Sequence, residues 1–389
     1  MDSASGKTLV AHSILWISLV FAFGLTGTTQ NTRTSLGDHY LLLVSYLKPS
    51  TMNQARLSMF DSSAYDGVAV AFIGPYDDTP PPSAEEITAK MAEAGKWTKK
   101  DLWPWVYVNR MVGRDPGFNT SYGRTPYFSK IRGADLEDAT GAQGDFVKIW
   151  QNSLHAAKSK GVPGIVVDLE FYMNYKAYDP TVLAQQMGRD PKTTIELLKR
   201  LGARLADTAA KEYSDAVLWL LFTDLGQAGT IQSNGTSYYP SPAYVAMGLL
   251  DQIKSNHYSL KVISGGEVGL GYCSRSLSHL QRKIEQRAVD FAKQLQKYSA
   301  NLELGGTIIL WSDRRDKTDF VNEGDCAKSD ADTVEQLQPY LEILLRSYRY
   351  NWVYGTYNSG YDPFHPRSAP RFDAVIGRAR KNVQSNYPH

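Results

Sequence analysis

Between residues 39 and 357 the chain repeats one pattern eight times: a short, continuously apolar run, then a longer stretch with apolar residues at helical intervals. Short runs of that kind read as strands buried on both faces, and apolar positions every three to four residues read as helices with one buried side. The strands are expected at His39–Leu47, Val68–Ile73, Leu102–Val112, Gly164–Phe171, Ala216–Phe222, Leu260–Ile263, Gly306–Trp311 and Trp352–Tyr357. Helices alternate with them. Lys48-Pro49-Ser50 opens one that turns Met52, Leu57 and Phe60 inward; the others are Ser83–Ala94, Asp145–Lys160, Thr193–Glu212, Ala243–Ile253, Ser278–Tyr298, Thr333–Ser347 and a last one carrying Phe372, Val375 and Ile376. Residues 113–143 and 172–191 lack clear periodicity and are expected as long loops over the strand ends.

Eight strand-then-helix units, joined right-handed, close into a single (β/α)8 TIM barrel over residues 35–384, with long βα loops. The competing fold is an open doubly wound sheet. Its nucleotide-binding form would place GxGxxG after the first strand or a phosphate-cradling loop elsewhere, and neither motif is present. In a barrel, ligands bind where the strands end, so the residues at those ends carry the functional question.

The first 29 residues follow a secretory pattern: a polar start with Lys7, an apolar run from Ser13 to Leu25, then small and polar residues to Thr29. They read as a signal peptide or as an uncleaved N-terminal anchor, and either places the protein outside the cytoplasm, secreted or periplasmic. No later run is long enough to span a membrane. Asn119-Thr120-Ser121 and Asn234-Gly235-Thr236 are acceptor sequons for a glycoprotein. Two cysteines, Cys273 and Cys326, fall in the loops after strands six and seven, where an exported protein would bridge them; two free thiols are the alternative.

Composition narrows the partner. Hydrophobic residues at 42% supply a large core, and a formal charge of +2 without a basic block argues against nucleic acid or an anionic membrane surface. The aromatic content, with 24 Tyr and 8 Trp, exceeds what a core needs and suits flat, amphipathic ligands such as sugars. The 7 His form no His-x-His or His-Glu-x-x-His pattern, so no metal centre and no cofactor are expected. Asp77-Asp78, or Asp325 with Asp330, would be oxygen donors for Ca²⁺, against the plainer reading of solvated acids. No Gly-x-Ser-x-Gly elbow marks an esterase. Oligomeric state is left open.

The strand ends collect acids and rings. Asp168 and Glu170 end strand four two positions apart, on one side of an extended backbone, and Asp224, Glu267 and Asp313 end strands five, six and seven. Tyr46, Tyr76, Arg110, Tyr172, Tyr272, Trp311, Trp352 and Tyr361 stand beside them as candidate substrate contacts. Trp103 and Trp105 read as packing residues, and Trp352 stands evenly between packing and platform. Acids with aromatic platforms point to glycoside cleavage, which needs one protonated carboxyl at the leaving oxygen and a second, ionised one to attack or to activate water. Crowded carboxylates raise one another's pKa and so keep one proton in place. Glu170 is the expected acid, with Asp168 orienting it. Glu267, on a glycine-rich turn, is preferred as partner over Asp313, whose neighbours Arg314 and Arg315 would pair with it.

The Asp-x-Glu at the end of strand four, with a Trp on strand eight, resembles the barrel glycoside hydrolases, including the chitinase-like group. The chain departs from that group at Val166, where an aspartate would be expected. It departs from the retaining families whose acid follows an Asn, because Leu169 precedes Glu170 and strand seven offers Asp313 rather than a Glu. The resemblance implies a glycosidase barrel and a carbohydrate substrate without naming a family. Two other readings stand beside it: a barrel that binds glycans without cleaving them, and a hydrolase or lyase built on a carboxylate-bound metal.

Overall fold

A computed structural model describes residues 39–45, 52–72, 81–107, 113–114, 128–130, 141–171, 175–223, 225–226, 230–233, 235–310, 324–355, 364 and 366–385. Eight parallel strands form a closed barrel: β1 Tyr40–Ser45, β2 Gly67–Val70, β3 Asp101–Tyr107, β4 Gly164–Asp168, β5 Val217–Leu220, β6 Lys261–Ser264, β7 Leu302–Ile309 and β8 Tyr350–Gly355. They pair in chain order, and β1 closes on β8 with Tyr40 opposite Tyr350. The fold is the (β/α)8 barrel. Its strands are buried along almost their whole length, because helices cover the outside and side chains fill the inside.

The helices are α1 Gln54–Asp61, α2 Ala84–Ala94, α3 Gly141–Ser159, α4 Pro180–Met187, α5 Pro191–Glu212, α6 Ser241–Ser255, α7 Leu277–Asp290, α8 Ala292–Lys297, α9 Gln338–Ser347 and α10 Ala369–Ser385. Their starts are written locally. Ser83 and Glu86 form a reciprocal capping box on α2, and Asp179-Pro180 and Asp190-Pro191 each pair an N-cap carboxylate with a proline in the first turn. Helices α5 and α6 touch backbone to backbone: a Cβ on Gly202 would lie 2.0 Å from the Val245 carbonyl oxygen, and one on Gly248 2.0 Å from that of Lys199. No helix among the described residues is long and apolar enough to cross a membrane.

The N-terminal end of the barrel is plugged by rings. Trp103 meets Trp219 edge-on at 5.9 Å, Trp219 meets Tyr350 at 6.0 Å, and Tyr40 lies 6.0 Å from Trp103 and 6.1 Å from Trp219. Trp103 Nε1 donates to the Tyr40 hydroxyl and that hydroxyl donates to Asp101, both at 2.8 Å, whereas the buried Trp219 Nε1 has no hydrogen-bond partner. Trp103 and Trp105 are thus both buried, as packing residues would be.

Several boundaries differ from expectation. Strand β4 stops at Asp168 instead of Phe171, where the Asp168 carboxylate accepts the Glu170 backbone N–H and turns the chain. Strand β7 starts at Leu302, and β8 at Tyr350. The span 172–191 contains helix α4, held by the Asp179 cap and ended by Gly188 in the left-handed conformation. The expected helix Ser278–Tyr298 is interrupted at Phe291, whose ring packs over the Arg287 guanidinium.

Candidate active site

Strand β4 delivers the first two carboxylates. Its start is pressed against β5 so closely that a Cβ on Gly164 would lie 1.8 Å from the Val217 carbonyl oxygen. Asp168 is 2% exposed at the strand's last position, and its Oδ1 accepts the Glu170 N–H at 2.9 Å. This Asx turn, rather than a continued extended backbone, sets the two acids relative to each other. Leu169 and Phe171 are buried and Glu170 between them is half-buried. Tyr178 fixes the outgoing chain: its hydroxyl accepts the Phe171 N–H at 3.0 Å and its ring packs on Phe171 and Phe222.

Strand β6 delivers the third. After Ser264 the Gly265 N–H still pairs with the Leu220 carbonyl at 2.6 Å, and then Gly266 turns the chain at φ 91°. That value lies in the left-handed region that favours glycine. Glu267 follows, in the short turn Glu267–Leu270 whose Val268 and Gly269 leave helical geometry, and two more positive-φ glycines, Gly269 and Gly271, fold the segment back. The return brings the Tyr272 hydroxyl onto Glu267 Oε1, to which it donates. Tyr272 stacks on Tyr354 at 5.1 Å and meets Trp352 edge-on at 6.0 Å. Trp352 is 1% exposed, and its Nε1 donates to the Gly265 carbonyl at 2.7 Å. The wall of rings therefore holds the backbone of the Glu267 turn as well as its side chain.

The electrostatics tie the three acids together. Glu267 is partly exposed, yet protein surrounds it closely enough that burial pushes its carboxyl well above the usual carboxylate range. The charges of Glu170 and then Asp168 push it further, while the Tyr272 hydroxyl opposes them. Burial and the Glu267 charge push the Tyr272 phenol up in turn. Glu170 also acts on Tyr272, so β4 and β6 present their acids to one rim.

The back of this loop is locked. Cys273 and Cys326 form a disulfide with Cα atoms 4.9 Å apart, and Ile309 N–H donates to the Tyr272 carbonyl at 2.9 Å. Lys283 Nζ donates to the Leu270 and Cys273 carbonyls, both at 2.9 Å, and pairs with Asp325 at 2.5 Å. Arg275 holds the other Asp325 oxygen, so Asp325 is an ion-paired acid rather than a solvated one. Asp330 accepts from the Tyr340 hydroxyl. No group of three metal-binding side chains occurs among the described residues.

Of the residues singled out in the sequence, Asp168, Glu170, Glu267, Tyr272 and Trp352 come together at the C-terminal end of the strands. Tyr46, Tyr76, Arg110, Tyr172, Asp224, Trp311, Asp313 and Tyr361 lie outside the described residues, as do residues 1–29 and Asp77-Asp78. Two contributors were not singled out. Tyr354 stands two positions after Trp352, hence on the same side of β8. Arg287 occupies an apolar position in the stripe Leu277, Leu280, Ile284, Arg287, Phe291 of α7, a charged residue where the spacing calls for a hydrophobe.

No known family model matches the chain, and no curated protein is similar to it. Solved structures align with the chain at low identity. The tri-modular endo-β-1,4-glucanase B of Bacillus halodurans aligns with 8% identity over 87% of this chain and 60% of its own, at a TM-score of 0.49. A GH113 β-mannanase of Alicyclobacillus acidocaldarius aligns with 16% identity over 90% of this chain and 99% of its own, TM-score 0.45. Endonuclease IV of Thermus thermophilus aligns with 11% identity over 90% and 100%, TM-score 0.40. Glycoside hydrolases recur among these neighbours, but the likeness is one of architecture and reaches across unrelated chemistries.

Proposed function

We propose that the protein is an exported glycoside hydrolase that cleaves O-glycosidic bonds in a poly- or oligosaccharide, with Glu170 and Glu267 as the working carboxylates. The observation that carries this reading is that Glu170 and Glu267 face one rim, where the Tyr272 hydroxyl donates to Glu267 and the Glu170 charge is near enough to act on it. Like charges so placed oppose each other's ionisation, which favours one carboxyl as acid beside the other as base. Glu170 gives its proton to the leaving oxygen. Glu267, ionised and steadied by Tyr272, attacks the anomeric carbon or draws a proton from water. Asp168 keeps the Glu170 backbone in place through its Oδ1. The disulfide supports an oxidising compartment for the mature protein.

The raised titration of Glu267 favours a second assignment, in which Glu267 donates and Glu170 is the ionised partner. One experiment tests both. The full chain is screened for hydrolysis of α- and β-glycans, and Glu170→Gln and Glu267→Gln are compared on the active substrate and on an aryl glycoside whose leaving group needs no proton. Loss of the acid costs about 10²–10⁴-fold on the natural linkage and far less on the aryl glycoside, whereas loss of its partner costs as much on both. Glycan binding without sugar release, unchanged in both variants, would replace the enzyme with a binding barrel. Silencing by chelator would replace it with a metal-dependent one.

A further inference from the structure

We infer that Arg287 is a positioning residue for the Glu267 carboxyl, a role that rests on reading Glu267 as a reacting group. Arg287 is 1% exposed on α7. Its Nη2 donates to the Ser264 carbonyl at 2.9 Å and to Ser264 Oγ at 3.1 Å, and its Nη1 donates to the Gly305 carbonyl at 2.6 Å. One planar fork thus joins the last residue of β6 to the middle of β7, immediately before the turn that carries Glu267. These bonds go to carbonyl and hydroxyl oxygens rather than to a carboxylate, and the cation is offset by rings, Phe291 at 5.3 Å and Tyr348 at 5.4 Å from the guanidinium carbon.

The turn itself is shaped around this side chain. A Cβ on Gly266 would meet Arg287 Nη1 at 3.1 Å and the Gly305 oxygen at 2.7 Å, and a Cβ on Gly269 would meet the Arg287 stem at 3.5 Å. Both glycines have positive φ and flank Glu267 on either side. Ser264 Oγ also bonds Thr223 Oγ1 at 2.6 Å, so the fork reaches the segment that follows β5 as well. Both Nη atoms are partnered while the buried Nε is not, and a lysine ammonium would not reproduce the planar pair of donors that spans the two carbonyls.

The test uses Arg287→Lys, which keeps the charge and loses the fork, in the full chain. Two quantities are followed: kcat and KM on the substrate found in the screen, and the titration midpoint of Glu267 by NMR of carboxyl-labelled glutamate. The expected result is kcat down by about 30-fold with KM within about threefold, as a displaced carboxyl would give. The Glu267 midpoint falls by about one pH unit or more as the turn relaxes toward solvent. A folded variant with both unchanged would overturn the role, whatever its melting temperature. If the wild type proves inactive on every glycan, the midpoint alone decides: a fall keeps Arg287 as the positioner while the glycosidase reading goes. Should Arg287→Lys fail to fold, Ser264→Ala removes one of the three bonds, and the same fall in midpoint supports the role while an unchanged midpoint rejects it.

Discussion

Asp168 Oδ1 accepts the Glu170 backbone N–H at 2.9 Å, so the buried aspartate acts on the chain that carries its neighbour. Asp168→Ala removes that acceptor and is expected to lower kcat by about 10–100-fold with little change in KM. Asp168→Asn keeps an oxygen acceptor but no charge. It should recover most of the geometry and lower the Glu267 titration, because one of the two charges that raise it is gone. Steady-state kinetics with carboxyl NMR on both variants checks the pair.

Glu267 makes stability depend on pH with a definite sign. Its carboxyl titrates higher in the folded protein than in the unfolded chain, so the folded state binds more protons and loses stability as pH rises from the ordinary carboxylate range through the raised one. Glu267→Gln should therefore melt higher than wild type at pH 8 and no higher at pH 3.5. Calorimetric scans at both values, in the absence of ligand, read the difference.

The same sign holds at a second place, outside the candidate site. Asp373 on α10 is pushed by burial up to about 6, against the opposing Lys100 charge, and its Oδ1 lacks a hydrogen-bond partner. Asp373→Asn is expected to raise the melting temperature at pH 8, with the gain vanishing below about pH 4 where the wild-type acid is protonated in both states. An equal gain at both values would mean that the hydrogen-bonding capacity of the side chain, and not its charge, sets the cost.

The Cys273–Cys326 bond closes a span of 53 positions. By chain entropy it contributes about 4 kcal/mol against the unfolded ensemble, so the double serine variant should lose that order of stability in denaturant titrations. Wild type under reductant should behave alike.

Gly202→Ala tests the backbone contact of α5 with α6. A methyl 2.0 Å from the Val245 carbonyl forces the helices apart and should cost about 2–3 kcal/mol or abolish folding, whereas Gly377→Ala, with open space around it, should be neutral or mildly stabilising.

The barrel was legible because each strand is buried on both faces and so reads as an unbroken apolar run. Asp168 and Glu170 were legible for the same reason: they end the apolar run Gly164–Val167 abruptly. Their actual arrangement was not, since an Asx turn and an extended strand share the same spacing. The bond from Tyr272 to Glu267 depends on three positive-φ glycines in succession, Gly266, Gly269 and Gly271, and on rings supplied by β8, so nothing local announces it. Helix α4 carried its signals openly, in Asp179-Pro180 and Gly188, but eight residues offer too few turns for periodicity to speak. Arg287 hid in plain composition: one charge in an apolar stripe looks like noise until the stripe is seen to face the core.

The ring cluster of Tyr40, Trp103, Trp219 and Tyr350 makes the barrel a cup rather than a tube. Whatever reaches Glu170 and Glu267 comes in over the strand tips and goes out the same way; on the glycosidase reading proposed above, that holds for substrate, water and products alike. Traffic through a single mouth is sequential, so under that reading a product that lingers would block the next substrate, and its departure would compete with bond breaking as the slow step.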